Sequence, residues 1–423
     1  MTTSNKAYQF RLYPTPSQQS ELESIFGCCR FLWNQELNEH QTVYKQFKPL
    51  GGIPRGYKYK TEKEYKQQFV FLKNADSKAL QAVTANLWNA YGRFFQNIKD
   101  RKAGKTKRKV GLPKFKSKRN EQSYTTYNIN NNVKIDFDRK KFKIPKIDAW
   151  IRYEDNRQFA VPIRHVTVRK TTYGQYFISI LVEEETLEPL KEVQEDKIEA
   201  FDMSVKDFLI SSSVHMTNPR FYRRQENKIK RLHRKVSRKK IRSSNRHKSR
   251  HRLAKKYQQI KNQKKDWIHK ITRKLTDSHD AIILEDLNVQ GMQKFNSGLS
   301  KSITLDFSWY QFISTLKYKT AWAGKHFIRV DRFFPSSQLC SACGQKTNAL
   351  TLDMREWECP SCHTHHHRDE NASKNLKKEG MRLLRSQGIV ISTVGTTGSD
   401  AWGDCVRPLP SAATDCDPRI ARL

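Results

Sequence analysis

Apolar residues in the first hundred positions follow two periods, and each period predicts a different element. From Lys6 to Tyr13 they alternate with polar residues until Pro14, which is the pattern of a half-buried β-strand. They then recur every three or four residues in a helix capped at Ser17, and again in a second helix from Ser77 to Ile98. Both helical stripes are expected to be core. The first comprises Leu22, Ile25, Phe26, Cys29, Leu32 and Trp33, and the second Leu80, Val83, Leu87, Tyr91, Phe94 and Ile98.

The stretch from about Ser123 to Val182 consists of short β-rich runs, among them Lys141–Ile144, Ile163–Val168 and Tyr176–Val182. These runs predict a small antiparallel barrel, which the first strand of the chain could complete. The acidic residues from Glu183 to Glu195, with Pro189 among them, are typical of a linker.

Beyond that linker the pattern predicts buried strands that end in acids. Lys197–Asp202 is a strand ending in a carboxylate, with a hairpin partner beginning at Phe208–Ile210, and Ala281–Glu285 is an apolar run ending in another acid. Phe327–Val330 supplies one more strand. Between them, apolar residues at helical spacing from Ile229 to Leu275, broken at 243–245, predict a helical hairpin.

The charge of the chain points to a polyanionic partner. Lys and Arg number 80 against 42 Asp and Glu, a formal net charge of +38, and Arg223 to Lys256 holds 17 Lys or Arg with Glu226 as its one acid. Because this charge is clustered and aromatic residues are abundant, nucleic acid is favoured over a generally solvated surface. No apolar run approaches the length of a transmembrane helix, which argues against a membrane. The glycine-containing loop at 101–109, with Lys105, Lys107 and Arg108, could follow a phosphate backbone without reading bases.

Two CxxC motifs, Cys340–Cys343 and Cys359–Cys362, are separated by fifteen residues. Two disulfides are the alternative, but paired CxxC motifs in a chain without a signal peptide favour a zinc ribbon in a reducing compartment. Four thiolates would close the coordination sphere of Zn²⁺, so this zinc is expected to be structural. Cys28 and Cys29 lie in an apolar helical pattern and are expected to be core; Cys405 and Cys416 lie in the tail.

Three acids stand out as candidates for catalysis. Asp202 and Glu285 end apolar strands, and Asp369 follows the second CxxC motif by seven residues in a segment, 365–372, that resembles a helix start. Each acid alone could simply cap an element or face solvent. Together they could hold two Mg²⁺ ions about 4 Å apart, which activate a water and stabilise the leaving oxygen of a phosphodiester. Asp202 would then bridge both metals.

Seven short motifs are distributed over nearly the whole chain, and together they resemble the TnpB family. This family comprises transposon-encoded RNA-guided nucleases regarded as ancestors of type V CRISPR effectors. The motifs are Phe-Arg-Leu-Tyr-Pro at 10–14, Arg-Phe-Leu-Trp-Asn at 30–34, Ala-Leu-Gln at 79–81, Leu-Pro-Lys-Phe-Lys at 112–116, Leu-Glu-Asp-Leu-Asn-Val at 284–289, Phe-Phe-Pro-Ser-Ser-Gln-Leu-Cys at 333–340 and Arg-Asp-Glu-Asn-Ala at 368–372.

The resemblance implies a multidomain α+β fold with an RNase H-like RuvC nuclease domain, an inserted zinc ribbon, a β-barrel wedge domain and a helical recognition lobe. Mapped onto this chain, the wedge covers 1–14 plus 111–190 and the recognition domain 15–110. The RuvC domain covers 191–336 plus 366–387 and includes the basic hairpin, and the ribbon covers 337–365. Residues 388–423 are predicted to be a disordered tail because they lack periodicity.

The resemblance also implies partners and site residues. A guide RNA from the transposon end would pair with target double-stranded DNA, and the protein would read a short motif beside the target. Asp202, Glu285 and Asp369 would form the catalytic triad on Mg²⁺. Contacts to the flanking motif would come from 77–81 and 124–131. The nucleic-acid-binding candidates are Lys78, Gln81, Lys105, Lys107, Arg108, Asn130, Arg234 and Arg238. No obligatory protein partner is evident, and the expected location is the nucleoid of a prokaryotic cytoplasm.

Two departures from the family pattern concern catalysis. Ser204 replaces the glycine of the usual Asp-x-Gly, and His367 replaces an acid in the usual His-Asp-Arg-Asp. An RNA-guided repressor that binds without cutting is therefore an alternative, although the triad is intact. A DNA-joining transposase, which needs no guide, is a second, and a plain zinc-ribbon DNA-binding protein is a third that leaves the strand-end acids unexplained.

Overall fold

The computed structural model describes residues 2–204, 207–292, 306–347 and 354–393. Within it the chain forms two compact units. The first contains residues 1–188 and 220–269, and the second contains 189–219 and 270–423. No helix in the described ranges is both long and apolar enough to cross a membrane.

A seven-stranded antiparallel sheet is the centre of the first unit. Its strands run in the order β2-β6-β7-β1-β5-β4-β3. The predicted first strand is confirmed, and it lies inside the sheet, where it pairs from Thr2 opposite Thr186 to Leu12 opposite Tyr176. Among the described residues β2 and β3 are edges, so the hydrogen-bonded ladder of the predicted small antiparallel barrel is open. The strands are β1 (Thr2–Tyr13), β2 (Gln122–Tyr127), β3 (Lys134–Asp136), β4 (Lys141–Lys143), β5 (Ile151–Tyr153), β6 (Ile163–Lys170) and β7 (Tyr176–Thr186).

Helices pack on this sheet because their apolar stripes and its inner face share one core. The predicted stripe of α1 is confirmed, and so is that of α3 from Leu80 to Tyr91, whereas Phe94 and Ile98 are only half-buried and lie outside the core. The cap of α1 is Thr15, not Ser17, because Thr15 and Gln18 form a reciprocal capping box. The predicted hairpin is also present, as α4 and α5, with its residues 220–269 grouped in the first unit. The helices are α1 (Pro16–Phe47), α2 (Glu62–Gln68), α3 (Ser77–Lys102), α4 (Glu226–Ser237) and α5 (Ser244–Ser278).

The second unit is built on a parallel sheet in the order β13-β12-β9. Its buried apolar strands are covered by α8, and they form a continuous core with Leu376 and Leu384 of that helix. The remaining elements are β8 (Glu192–Gln194), β9 (Ile198–Phe201), β10 (Leu209–Ile210), β11 (His215–Met216), β12 (Ala281–Glu285), α6 (Val289–Met292), α7 (Trp309–Trp322), β13 (His326–Val330), β14 (Glu356–Glu358), β15 (His365–His367), α8 (Arg368–Ser386) and β16 (Val390–Ser392).

Two segments that were predicted to be irregular contain β-strands that pair with each other. The acidic stretch 183–195 was predicted to be a linker, but it contains the end of β7 and all of β8. The tail was predicted to be disordered from 388, yet β16 pairs in parallel with β8, and Ile389 is buried in the second core. Both predictions are wrong at these residues, because local polarity does not reveal a pairing between segments nearly two hundred residues apart. The rest of the tail, 394–423, lies outside the described residues.

Gly380 lets α8 approach β12 closely. A Cβ at this position would lie 2.3 Å from Cδ1 and 2.6 Å from Cγ1 of the fully buried Ile283. We therefore expect Gly380→Ala to destabilise the protein by about 1–3 kcal/mol, the usual effect of overpacking. Thermal unfolding would measure it. Gly92→Ala in α3 is the matched control, because a Cβ there meets nothing within 4 Å and alanine favours a helix by about 1 kcal/mol. Equal melting temperatures for both variants would contradict this packing account.

Candidate active site and cysteine cluster

Asp202 and Glu285 are brought together by strand register. In the parallel pair of β9 and β12, Phe201 lies opposite Leu284, so the next residue on each strand is one of the two acids. Asp202 is also fixed by the β10 hairpin, because its backbone N–H donates to Ile210 (2.8 Å) and its carbonyl accepts from Ile210 (2.9 Å). The predicted hairpin partner at 208–210 is therefore confirmed.

Asp369 lies in the first turn of α8 and is buried, with 8% of its surface exposed. The helix begins at Arg368, after β15, so only part of the predicted helix start at 365–372 is helical. Its positive N-terminal end favours a carboxylate there. Arg355 Nη1 donates to Asp369 Oδ2 at 2.8 Å. Arg355 is exposed and was missed by the sequence analysis, since nothing in its local pattern distinguishes it from the other basic residues.

The three acids influence one another electrostatically. Burial, and then the charge of Asp369, raise the pKa of Asp202 to about 6. Burial, and then Asp202, raise the pKa of Glu285 to about 7. The neighbouring Asp286 differs, because it is already paired with Arg329 and Arg332. The site therefore holds a concentration of negative charge that a divalent cation would relieve.

The raised pKa of Asp202 predicts a pH-dependent stability difference. Because the folded-state pKa of Asp202 lies above the unfolded value of about 3.9, ionisation is disfavoured in the native state, and stability is lost as pH rises from about 4 through about 6. Asp202→Asn lacks this loss. We therefore expect its melting temperature relative to the unchanged protein to rise between about pH 4 and about pH 7, measured in EDTA. A difference that does not change with pH would contradict the raised pKa.

The four cysteines predicted to bind zinc converge. Their Sγ atoms all lie within 4.8 Å of one another, with Cys340 to Cys362 and Cys343 to Cys359 both at 3.6 Å. Tetrahedral Zn²⁺ with Zn–S of about 2.3 Å requires sulfurs about 3.8 Å apart. All four are free thiols, as are Cys28 and Cys29, which are buried core as predicted. The cluster could therefore bind zinc, and the disulfide alternative does not hold for it.

Each CxxC motif forms a tight turn that presents its sulfurs. The Cys340 N–H donates to Gln345 O at 2.9 Å, and the Cys359 N–H donates to Thr364 O at 3.0 Å. The hydroxyl of Thr364, 3.2 Å from Cys362 Sγ, is the main cause that lowers the pKa of Cys362 to about 6. A lowered pKa favours the thiolate, which is the form of cysteine that binds a metal.

Helix α8 connects this cluster to the acidic site. Asn371 and Asn375 are both buried, and their amides donate to Leu339 O, each at 2.7 Å. Asn371 Oδ1 also accepts from the Ser341 N–H at 2.8 Å. Because Asp369 lies on the same helix, the first CxxC turn and the third acid are held in one rigid arrangement. Sequence analysis missed both asparagines, although polar residues four apart on a helix that buries that face were a usable signal.

The two departures from the family pattern lie beside the acids. Ser204 is two residues after Asp202 and partly buried. His367 is the exposed last residue of β15, and the buried histidine is its neighbour His366, whose Nε2 lies 3.0 Å from Cys340 Sγ and whose ring lies 4.8 Å from that of Trp357.

The nucleic-acid candidates are spread over the first unit. Lys78 Nζ donates to Gln81 Oε1 at 3.0 Å at the start of α3. The hydroxyl of Thr126 on β2 donates to Asp76, the cap of α3, so the segments predicted to read a flanking motif, 77–81 and 124–131, are adjacent. The other candidates are exposed and lie in the loop after α3, in the turn after β2 and at the end of α4. They are Lys105, Lys107, Arg108, Asn130, Arg234 and Arg238.

The site combines strand-end acids with a four-cysteine cluster that could bind zinc, in a chain of formal net charge +38, and this combination is typical of enzymes that act on nucleic acids. Three family models match the chain: "Helix-turn-helix domain" of the IS605 OrfB proteins at 1–49, "Probable transposase" of the same group at 178–296, and "Cas12f1-like, TNB domain" at 309–376. These matches, together with the curated relatives described next, support the TnpB family predicted from the sequence. The name of the first model does not describe the structure, since 2–47 forms one strand and one long helix.

Curated relatives cover almost the whole chain. A putative RNA-guided DNA endonuclease of Streptomyces pristinaespiralis is 28% identical over 408 residues, 95% of this chain and 92% of the relative. The putative RNA-guided DNA endonuclease InsQ of Escherichia coli K12 is 28% identical over 400 residues, 90% of this chain and 93% of the relative. Among solved structures, one chain of a Cas12f1–sgRNA–target DNA complex has a TM-score of 0.47 at 12% identity, with 89% of this chain and 99% of that chain covered.

Proposed function

We propose that this protein is an RNA-guided endonuclease of double-stranded DNA, encoded by an IS605-type transposon. The observation that carries the proposal is the register of β9 and β12, which places Asp202 beside Glu285 and within electrostatic reach of Asp369. The curated relatives named as putative RNA-guided DNA endonucleases support it, because they align along nine-tenths or more of the chain.

Asp202, Glu285 and Asp369 would hold Mg²⁺, for which carboxylate oxygens are suitable ligands. Three carboxylates could together hold two such ions about 4 Å apart. Bound there, Mg²⁺ would supply an activated water and stabilise the leaving oxygen. The protein would contribute the carboxylates, of which Asp202 interacts electrostatically with both of the others.

The four-cysteine cluster would hold a structural Zn²⁺, because four sulfurs leave no open position. Its contribution to catalysis would be to position α8 and thereby Asp369, through Asn371 and Asn375.

The proposed domains follow the order of the chain: a wedge at 1–14 plus 111–190, a recognition domain at 15–110, a RuvC domain at 191–336 plus 366–387, and a zinc ribbon at 337–365. The antiparallel sheet, the helices α1 to α3, the parallel sheet with α8 and the cysteine cluster support these assignments in turn. The guide RNA would come from the transposon end. Residues 77–81 and 124–131, held together by Asp76 and Thr126, would read the target-adjacent motif.

The test is cleavage of a plasmid in which a guide-matched target lies beside a randomised segment. Protein is co-expressed with its transposon end and assayed with Mg²⁺ or EDTA. Cutting that needs both the guide and Mg²⁺, next to a restricted set of flanking sequences, is the expected result. Guide-dependent binding without cutting would replace the proposal by the repressor and direct attention to Ser204 and His367. Activity that survives removal of all RNA would support a transposase.

A further inference from the structure

The first unit contains a cavity of about 940 Å³. Its lining comes from four places in the sequence: the middle of α1, residues 118–122 leading into β2, the turn between β6 and β7, and residues 241–254 at the start of α5. None of the predicted nucleic-acid candidates lies among its lining residues.

The lining is strongly cationic. Glu23 is the one acid among the described lining residues, and it already accepts from Lys170, which is the main cause of its lowered pKa. Arg30 donates to a neutral group, Gln122 Oε1. The other lining cations form no ion pair with the residues that the structure describes, although Lys118 also lowers the pKa of Glu23; they are Arg30, Lys118, Arg119, Arg242, Arg246 and Arg250. Six like charges around one concave space repel one another, so an anion in that space would stabilise the arrangement.

Arg246 gives the cavity a hydrogen-bond donor that is not yet used. Its Nε is buried and has no hydrogen-bond partner, although a buried guanidinium donor without an acceptor is unfavourable. Its backbone is fixed, because the N–H donates to Ser243 Oγ at 3.2 Å in the first turn of α5. Arg250 follows one turn later on the same face. Both guanidinium groups therefore line the same part of the cavity, and each has a planar fork of donors that can bind a phosphate in bidentate fashion.

The volume of the cavity and the uncharged polar residues that line it indicate which kind of anion it binds. A cavity of this volume is comparable to a small-molecule pocket, so it admits a short single strand and not a duplex. Asn120, Thr172 and Ser243 offer amide and hydroxyl groups that can bond a ribose 2′-hydroxyl. Ile241, 71% exposed, supplies an apolar surface for a sugar or base.

We propose that this cavity binds a single-stranded segment of the guide RNA through its phosphates and ribose hydroxyls. The proposal rests on the proposed function, in that the guide RNA is the ligand. That RNA would be held jointly by the start of α5, the turn between β6 and β7 and the segment before β2.

The test compares two double variants of α5 with equal loss of charge. Arg246→Gln with Arg250→Gln removes two cavity cations. Lys248→Gln with Arg252→Gln is the control, because these exposed residues have the same spacing but do not line the cavity. Affinity for the guide RNA is measured on the full chain from 50 to 300 mM salt. We expect the cavity variant to bind at least about 10-fold more weakly at 150 mM, and the salt slope to fall by about 1.4, since each contact to a single strand contributes about 0.7.

Several outcomes would overturn the proposal. These are equal losses in both variants, unchanged affinity in the cavity variant, and loss of affinity only for target DNA offered to protein already loaded with RNA. Lys118→Gln with Arg119→Gln, outside any helix, provides an independent test if the α5 variant does not fold. If the unchanged protein binds no guide RNA, the proposed function fails too. If it binds RNA and both cavity variants bind equally well, only the cavity assignment fails.

Discussion

Asp202→Asn is expected to lower DNA cleavage by about 10³-fold or more while guide RNA and target DNA still bind. The amide keeps the size of the side chain but removes a charge that interacts with both Glu285 and Asp369, and the proposed two-metal reaction would lose its shared ligand. Binding should survive because the basic surface is unchanged. Single-turnover cleavage and filter binding, both with saturating guide RNA, would separate the two effects.

Two controls make this result specific. Asp207→Asn removes a nearby acid that is paired with His215 at 3.4 Å, and it should change cleavage by less than about 3-fold. Glu285→Gln should lower cleavage as much as Asp202→Asn does. Asp286→Asn should not, because Asp286 is already paired with two arginines. Substantial cleavage by Asp202→Asn would exclude Asp202 as a metal ligand. Equal losses at positions 285 and 286 would indicate a structural effect.

Cys359→Ser is expected to remove zinc and, with it, cleavage. Structural zinc sites contribute about 10–16 kcal/mol of apparent binding free energy at neutral pH, so loss of one ligand should unfold the cluster. Asn371 and Asn375 would then lose the turn that they bind, and Asp369 would lose its fixed position. We expect zinc to fall from about one ion per chain to a small fraction, and cleavage by at least about 10²-fold.

Elemental analysis of the purified protein and the plasmid assay would measure both quantities. Cys29→Ala is the control, because Cys29 is a buried free thiol outside the cluster. Full zinc content in Cys359→Ser would contradict the assignment. Lost zinc with unchanged cleavage would instead show that α8 does not need the cluster to position Asp369.

The regular spacing of apolar residues predicted the positions of helices and strands reliably. The stripes of α1 and α3, the strand β1 and the apolar runs that end at Asp202 and Glu285 all appear where they were predicted. Their signals are strong because each element buries one face or both. Weak local signals misled in three places: the cap of α1, the acidic segment before β8, and the tail that supplies β16.

The sequence by itself identified the four cysteines, the three acids and the excess of positive charge, because spacing and composition can be read without knowing the fold. Only the tertiary structure decided that Asp202 and Glu285 are neighbours, since parallel register joins residues that are eighty positions apart. It also decided that Arg355 bonds Asp369, that Asn371 and Asn375 connect the cysteines to the acids, and that six cations surround one cavity. These relations depend on the directions of side chains from distant segments, which no local pattern carries.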